Sequence, residues 1–154
     1  MEFADEIGSH LVRMQRIRER NLAQLSAESG GVDGAAFVCL FRLLRDGPMR
    51  SSELAAMVNS DPSTVSRQVA QLVERGHVER LRDLSDGRAY VLAVTELGRE
   101  VAQRILDQRN ASLARVLEDW SHEDRAQLVE LLDRFLTDYE RVKPDLHSGR
   151  NGRV

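Results

Sequence analysis

Residues 61–95 have the sequence DPSTVSRQVAQLVERGHVERLRDLSDGRAYVLAVT, and this stretch decides the fold. Asp61 followed by Pro62 predicts a helix start, because the Asp side chain accepts from a free backbone N–H and Pro fits the first helical position. Gly76 predicts the end of that helix. The runs HVERLR and AYVLAV, on either side of DLSDG, are typical of two short strands joined by a reversal. The stretch therefore predicts a helix followed by a β-hairpin.

The predicted helix has two different sides at about 100° per residue. Its apolar side holds Val65, Val69, Leu72 and Val73, and its polar side holds Ser63, Thr64, Arg67, Ala70 and Gln71. Small residues near a helix start allow close approach to DNA, and Arg or Gln side chains can bind base edges or phosphates. This pattern favours a helix that lies in a major groove.

The residues before position 61 extend this unit. Val32–Arg45 contains the apolar run AAFVCLFRLL and predicts a core helix. Ser51 or Ser52 can begin a short helix, and Asn59-Ser60 then forms a turn. Two short helices with a tight turn between them make a helix-turn-helix.

Long amphipathic helices are predicted on both sides of this unit. Their apolar stripes run from about Asp5 to Leu25, from Thr95 to about Asp119, and onward from Ser121. Wide apolar stripes near both chain ends must be covered by each other or by a second copy of the chain. We therefore expect a homodimer.

Composition limits the kind of protein. The 154 residues, 42% hydrophobic and 31% charged, are enough for one domain or two fused lobes. A net charge of −3 gives no overall basic footprint for DNA. Within 61–95, the arginines at 67, 75, 80, 82 and 88 are matched by Asp61, Glu74, Glu79, Asp83 and Asp86. DNA binding would thus depend on where the arginines lie, not on total charge.

Several classes of protein are excluded by what the sequence lacks. No apolar run reaches the roughly 18 residues of a membrane span, and the start MEFADEIG is unlike a secretory signal, so we expect a cytoplasmic protein without a membrane partner. One cysteine and four scattered histidines predict no metal site. The sequence shows neither a nucleophile with a base nor a phosphate-binding glycine loop, so we expect no enzyme and no cofactor.

Four polar or reactive residues lie on otherwise apolar helices. Cys39 is interpreted as a buried core residue with a raised thiol pKa rather than a redox sensor. Arg18, Arg109 and Ser112 each need a partner. One interpretation is a salt bridge between subunits or a side chain that reaches solvent; the other is a crevice that binds a small anionic or aromatic effector.

Five segments, in this order and spacing, resemble the MarR family of winged helix-turn-helix regulators over roughly Ile7–Val142. They are SSELAAMV (51–58), STVSRQVAQLVERGHVER (63–80), the Asp-Gly-Arg loop (86–88), VTELG (94–98) and SHEDRAQLVELLDRF (121–135). The resemblance implies a mainly α fold with a small β-hairpin wing, that is, a winged helix-turn-helix plus a helical dimerisation region. We accordingly divide the chain into a dimerisation helix and loop (1–34), a DNA-binding lobe (35–95), C-terminal dimerisation helices (96–143) and a disordered tail (144–154).

The resemblance also implies roles for single residues. A two-fold dimer would place one recognition helix per subunit in successive major grooves of an operator and a wing arginine in the flanking minor groove. The matching positions are Ser63, Thr64, Ser66, Arg67 and Gln71 on the recognition helix and Asp86 and Arg88 in the wing. Gly87 stands where the family often has a second basic residue. Arg80 and Arg82 are therefore expected to contribute more of the affinity of the wing for DNA. Arg50 stands where many members have a helix-capping Thr.

The predicted function is a homodimeric, ligand-responsive transcriptional regulator, a repressor by family habit, that binds pseudo-palindromic duplex DNA. The alternative is a helical dimeric module that binds a ligand or a protein and has little specific DNA affinity. The balanced charge and Gly87 keep that alternative open.

Overall fold

The computed structural model describes residues 2–29 and 31–148, with side chains as far as Val142. The mainly α fold with a β-hairpin is confirmed. The elements are α1 (Glu2–Glu28), α2 (Gly34–Asp46), α3 (Ser51–Met57), α4 (Pro62–Glu74), β1 (Val78–Arg82), β2 (Tyr90–Val94), α5 (Glu96–Val116) and α6 (His122–Ser148). In the described part of the chain, no helix is both long and apolar enough to cross a membrane.

The chain forms two compact units, residues 1–106 and 107–154, and their boundary lies inside α5. The first unit contains the predicted DNA-binding lobe together with α1 and the start of α5. Ala102 of α5 is fully buried in the core of this unit. The assignment of residues 1–34 and 96–143 to dimerisation concerns the role of these segments and stays a prediction.

One apolar core joins α2, α3, α4 and the hairpin. Its largest fully buried side chains come from these elements: Phe37, Leu40, Leu43, Leu54, Val65, Val69, Leu72 and Val78. The predicted apolar side of α4 is confirmed by three of them, and Val73 packs at the margin of the core. Burial of this side leaves the opposite side of α4 directed away from the core.

Local hydrogen bonds set the helix ends. The side chain of Asp33 accepts from Ala35 N at 3.0 Å, so α2 begins at Gly34 and not at the predicted Val32. Thr95 and Ser121 cap the two helices that were predicted to follow them: Thr95 Oγ1 accepts from Gly98 N, and Ser121 Oγ accepts from Asp124 N, both at 3.0 Å. α5 ends at Val116, earlier than the predicted Asp119.

The last helix runs further than predicted. α6 continues to Ser148, so the segment expected to be disordered from Pro144 onward is helical over 144–148. The rest of the predicted tail, 149–154, lies outside the described residues.

The predicted wing hairpin is confirmed. β1 and β2 pair antiparallel, in a register that runs from Val78 opposite Val94 to Arg82 opposite Tyr90. Met49, just before α3, forms an isolated bridge with Leu92 of β2, with N···O distances of 3.3 and 2.8 Å. The hairpin is thereby attached through its backbone to the segment that leads into the helix-turn-helix.

Candidate nucleic-acid interface

The start of α4 is organised around the carboxylate of Asp61. Its Oδ1 accepts from Thr64 N at 2.9 Å, its Oδ2 accepts from the Thr64 hydroxyl at 2.6 Å, and the Ser63 hydroxyl also donates to Oδ1. The Ser63 and Thr64 hydroxyl bonds hold the pKa of Asp61 well below its usual range. The hydroxyl protons of Ser63 and Thr64 are therefore used within the protein, and their oxygens keep the capacity to accept hydrogen bonds.

An exposed stripe runs along α4 opposite its buried side. At about 100° per residue, its exposed residues fall on one side of the helix: Ser63, Ser66, Arg67, Ala70 and Glu74. Within the described part of the chain, Arg67 forms no hydrogen bond or salt bridge, so its guanidinium is available to an external partner. Because the neighbours of Arg67 on this side are small, the helix can fit closely into a groove of a binding partner. This stripe, called the α4 face below, contains Ser63, Arg67 and Ala70 of the predicted polar side, whereas Thr64 is half-buried. That these residues contact DNA stays a prediction.

Gln71 does not lie on the α4 face, and its predicted outward position is wrong. Its side chain is half-buried, and Oε1 accepts from Asp33 N at 2.7 Å. The reason is the packing of α4 against α2: the N–H of Asp33, before the first turn of α2, needs an acceptor, and Gln71 lies at the border between the two sides of α4. Gln71 therefore joins α4 to α2.

Gln68 was missed as a structural residue. It is only 6% exposed, and its Oε1 accepts from the thiol of Cys39 at 3.3 Å. Cys39 is fully buried in the apolar core, which confirms its interpretation as a core residue, and this burial raises the pKa of its thiol to about 11. The sequence indicates this burial, because Gln68 lies three residues after Val65 and four before Leu72, which places it beside the apolar side of the helix.

The hairpin and its loop present three arginines. Arg80 and Arg82 occupy alternate positions of β1, so their side chains leave the same face, and Arg88 lies in the loop before β2. All three are exposed, and none forms a side-chain bond with a described residue. The predicted partner of Arg88, Asp86, accepts from the backbone N of Arg88 at 3.1 Å and so shapes the loop rather than holding the guanidinium.

Sequence reasoning did not predict the contact made by Arg50. This side chain does not act as the cap that a Thr would provide; instead its guanidinium reaches Asp83 at the base of the wing loop. The Asp83 carboxylate raises the pKa of Arg50 above its ordinary value. Arg50 thus connects the start of α3 to the wing.

Comparison with known proteins agrees with this architecture. A model of the MarR family matches residues 35–90. The Bacillus subtilis (strain 168) HTH-type transcriptional regulator YxaD is 32% identical over 114 residues, covering 74% of this chain and 80% of that protein. This chain belongs to the MarR family. It is a helix-turn-helix transcriptional regulator and not an enzyme.

Two further proteins match most of the chain. The HTH-type transcriptional repressor MdtR of Bacillus subtilis (strain 168) is 25% identical over 134 residues, and the match covers 85% of this chain and 86% of MdtR. A MarR family protein from Bacillus stearothermophilus is 24% identical, with a TM-score of 0.72, covering 88% of this chain and 97% of that one. The structural match supports the fold over nearly the whole chain.

The predicted effector residues of this MarR protein do not fall in one compact unit. In the first unit, Arg18 lines a cavity of about 200 Å³ together with Leu22, Val38, Cys39, Gln68 and the α3–α4 turn. In the second unit, Arg109 donates to the Asn110 side chain at 3.2 Å, and the Ser112 hydroxyl donates to Gln108 O at 2.9 Å. A site shared by all three residues stays a prediction. Among the described residues, no group of three His, Cys, Asp or Glu side chains is placed to hold a metal ion.

Proposed function

We propose that this MarR-family regulator is a homodimeric, ligand-responsive repressor of pseudo-palindromic duplex DNA. In this proposal α4 lies in the major groove and the wing lies in the flanking minor groove. The observation that carries it is the α4 face, where an unpartnered Arg67 stands among small exposed side chains on a helix whose other side is locked into the core.

The wing supports the second part of the proposal. Its three unpartnered arginines lie on a hairpin that follows α4 directly. A minor groove narrowed by A·T base pairs has an enhanced negative potential that attracts arginine. We assign Arg88 to that groove and Arg80 and Arg82 to the adjoining phosphates.

Exposed apolar side chains support a homodimer. None of the described residues of α1 is buried, and Phe3, Ile7, Leu11 and Met14 are each more than 40% exposed. Within the second unit, α6 likewise has no buried residue over 122–142. Its exposed apolar residues are Val129, Leu131, Leu132, Leu136, Tyr139 and Val142. Surfaces of this kind are rare on monomers, and a two-fold partner would cover them and set two α4 helices about one DNA turn, ~34 Å, apart.

Leu132→Glu is expected to convert the dimer into a monomer. The Leu132 side chain is 48% exposed and lies near the middle of the apolar side of α6. In the proposed interface, a Glu at this position would bring a carboxylate against apolar side chains, and removing that charge from water costs free energy. Analytical ultracentrifugation at micromolar concentration should show the molecular mass falling by half. Thr137→Glu, on the opposite side of the same helix, should leave the dimer intact; a dimeric Leu132→Glu protein would exclude this side of α6 from the interface.

Repression and ligand response rest on separate observations. The relative MdtR is named a repressor, and a dimer that covers an operator excludes other proteins from it. The cavity beside Arg18 borders the α3–α4 turn, so a small anion bound there would act directly on the start of α4. Since a repressor must reach the chromosome, the proposal includes a cytoplasmic location.

Selection of duplexes from a random DNA library tests the proposal. The expected result is a pseudo-palindrome bound with nanomolar affinity and steep salt dependence by fluorescence anisotropy. A panel of small aromatic carboxylates should contain compounds that release this DNA. Absence of any sequence preference at micromolar protein would reject the proposal and favour the alternative, a dimeric module without specific DNA affinity.

A further inference from the structure

Arg50 forms a side-chain contact that joins the wing to the helix-turn-helix. Its Nε and Nη2 atoms donate to the same oxygen of Asp83, Oδ2, at 2.8 and 2.6 Å. Arg50 directly precedes α3, and Asp83 is the first residue after β1. The contact therefore links two elements whose paired residues are 33 positions apart in the chain.

Asp83 is held through both of its carboxylate oxygens. Oδ1 accepts from the backbone N–H and from the hydroxyl of Ser85, at 2.9 and 2.6 Å. The Ser85 bonds, followed by the Arg50 bond, hold the pKa of Asp83 well below its usual range. Only 13% of the Asp83 side chain is exposed. The carboxylate is therefore charged at neutral pH and fixes the first residues of the loop in one geometry.

The same loop carries Arg88. Asp83 N donates to Ala89 O at 3.0 Å, which closes the loop, and Asp86 Oδ1 accepts from Arg88 N. Arg50 Nη2 also lies 3.7 Å from Asp86 Oδ2. Arg50 thus contacts both acidic residues that shape the backbone around Arg88.

A direct phosphate contact is the competing role for Arg50. Its Nε and Nη2 atoms are already engaged with Asp83, and Asp86 adds a second carboxylate nearby. One cation beside two anions gives the cluster a net negative charge, which repels phosphate. The geometry therefore favours a role within the protein.

We propose that Arg50 is a positioning residue for DNA binding, which holds the wing loop against the start of α3 so that Arg88 is presented to the minor groove at a defined angle. A two-stranded hairpin is only marginally stable by itself. The Met49–Leu92 bridge attaches this hairpin at its strand, and Arg50 adds an attachment at its loop. A loop held in place before binding loses less conformational entropy on the DNA. The inference rests on the proposed wing contact of Arg88.

Two variants on two DNA duplexes test this inference. Arg50→Ala and Arg88→Ala are compared on a duplex that the wild-type protein selects from a random library, and on the same duplex shortened to remove the flanking base pairs within reach of the wing. Each variant should lose about 10-fold in affinity on the full duplex and less than about 2-fold on the shortened one. The double variant should bind the full duplex no more weakly than Arg88→Ala alone, because both changes remove the same contact.

Matched variants separate positioning from charge and from folding. Arg45→Ala removes the same charge from an exposed side chain that pairs with its neighbour Asp46, and it should lose less than about 2-fold on either duplex. Arg50→Lys keeps the charge without the planar fork and should give an intermediate loss on the full duplex only. If thermal unfolding shows that Arg50→Ala does not fold, Arg50→Lys and Asp83→Asn carry the comparison.

The outcomes distinguish this inference from the proposed function. Equal losses for Arg50→Ala on both duplexes, or wild-type affinity on the full one, overturn the positioning role. If Arg88→Ala loses affinity on the full duplex and Arg50→Ala does not, the positioning role of Arg50 is again overturned, but the proposed contact of the wing with DNA is retained. Wild-type affinity of Arg88→Ala on the full duplex rejects the wing contact itself and the inference with it.

Discussion

Arg67→Ala is expected to lower affinity for the selected operator by about 100-fold or more while the dimer stays intact. A bidentate arginine contact to a base is worth about 1–3 kcal/mol, and a two-fold dimer makes it twice. Arg67 is exposed and forms no hydrogen bond or salt bridge among the described residues, so its removal breaks no such bond within the described part of the protein. Fluorescence anisotropy against the selected duplex measures the loss, and ultracentrifugation checks the dimer.

Two further variants show what Arg67 contacts. Arg134→Ala removes the same charge from an exposed position on α6 and should leave operator affinity within about 2-fold of wild type. Arg67→Lys keeps a phosphate contact but loses a bidentate base contact. If Arg67→Lys retains the wild-type affinity and selectivity, Arg67 binds a phosphate. Base recognition must then come from other residues of the α4 face.

Local sequence signals were sufficient to predict α4. Asp61 and Pro62 begin it, and Gly76, with φ of 72°, follows its last turn in a conformation that other residues rarely adopt. The α4 face follows from the same periodicity that buries Val65 and Leu72. The helix and its outward arginine were therefore predictable without knowledge of the tertiary structure.

Side chains that bridge two elements could not be assigned in this way. Gln71 lies at the border of the two sides of α4, and only the position of Asp33 N decides which way it turns. The sequence offers several acidic residues as possible partners of Arg50, and its pairing with Asp83 depends on how the hairpin packs beside α3. Such contacts depend on tertiary packing, which periodicity does not encode.

Gly98→Ala is expected to destabilise the DNA-binding lobe by about 3 kcal/mol, at the upper end of the usual cost of overpacking. Gly98 is buried in the first turn of α5, where a Cβ would overlap the carbonyl oxygen of His77 and lie 2.9 Å from Cγ1 of Val94. The nearest atom belongs to the backbone, so no side-chain rotation relieves the overlap. His77 O also accepts from Thr95 N at 3.1 Å, so the shift would weaken the junction between β2 and α5.

Thermal unfolding at fixed protein concentration should show the Tm of Gly98→Ala roughly 10 °C below that of wild type. Gly87→Ala is the matched control, because a Cβ at Gly87 meets nothing within 4 Å; its Tm should stay within about 2 °C. Below its Tm, the folded Gly98→Ala protein should still bind the operator, since the α4 face is unchanged. If the Tm of Gly98→Ala equals that of wild type, α5 can move away from His77 without loss of folding free energy. The close approach of α5 to the hairpin would then contribute nothing to the stability of the lobe.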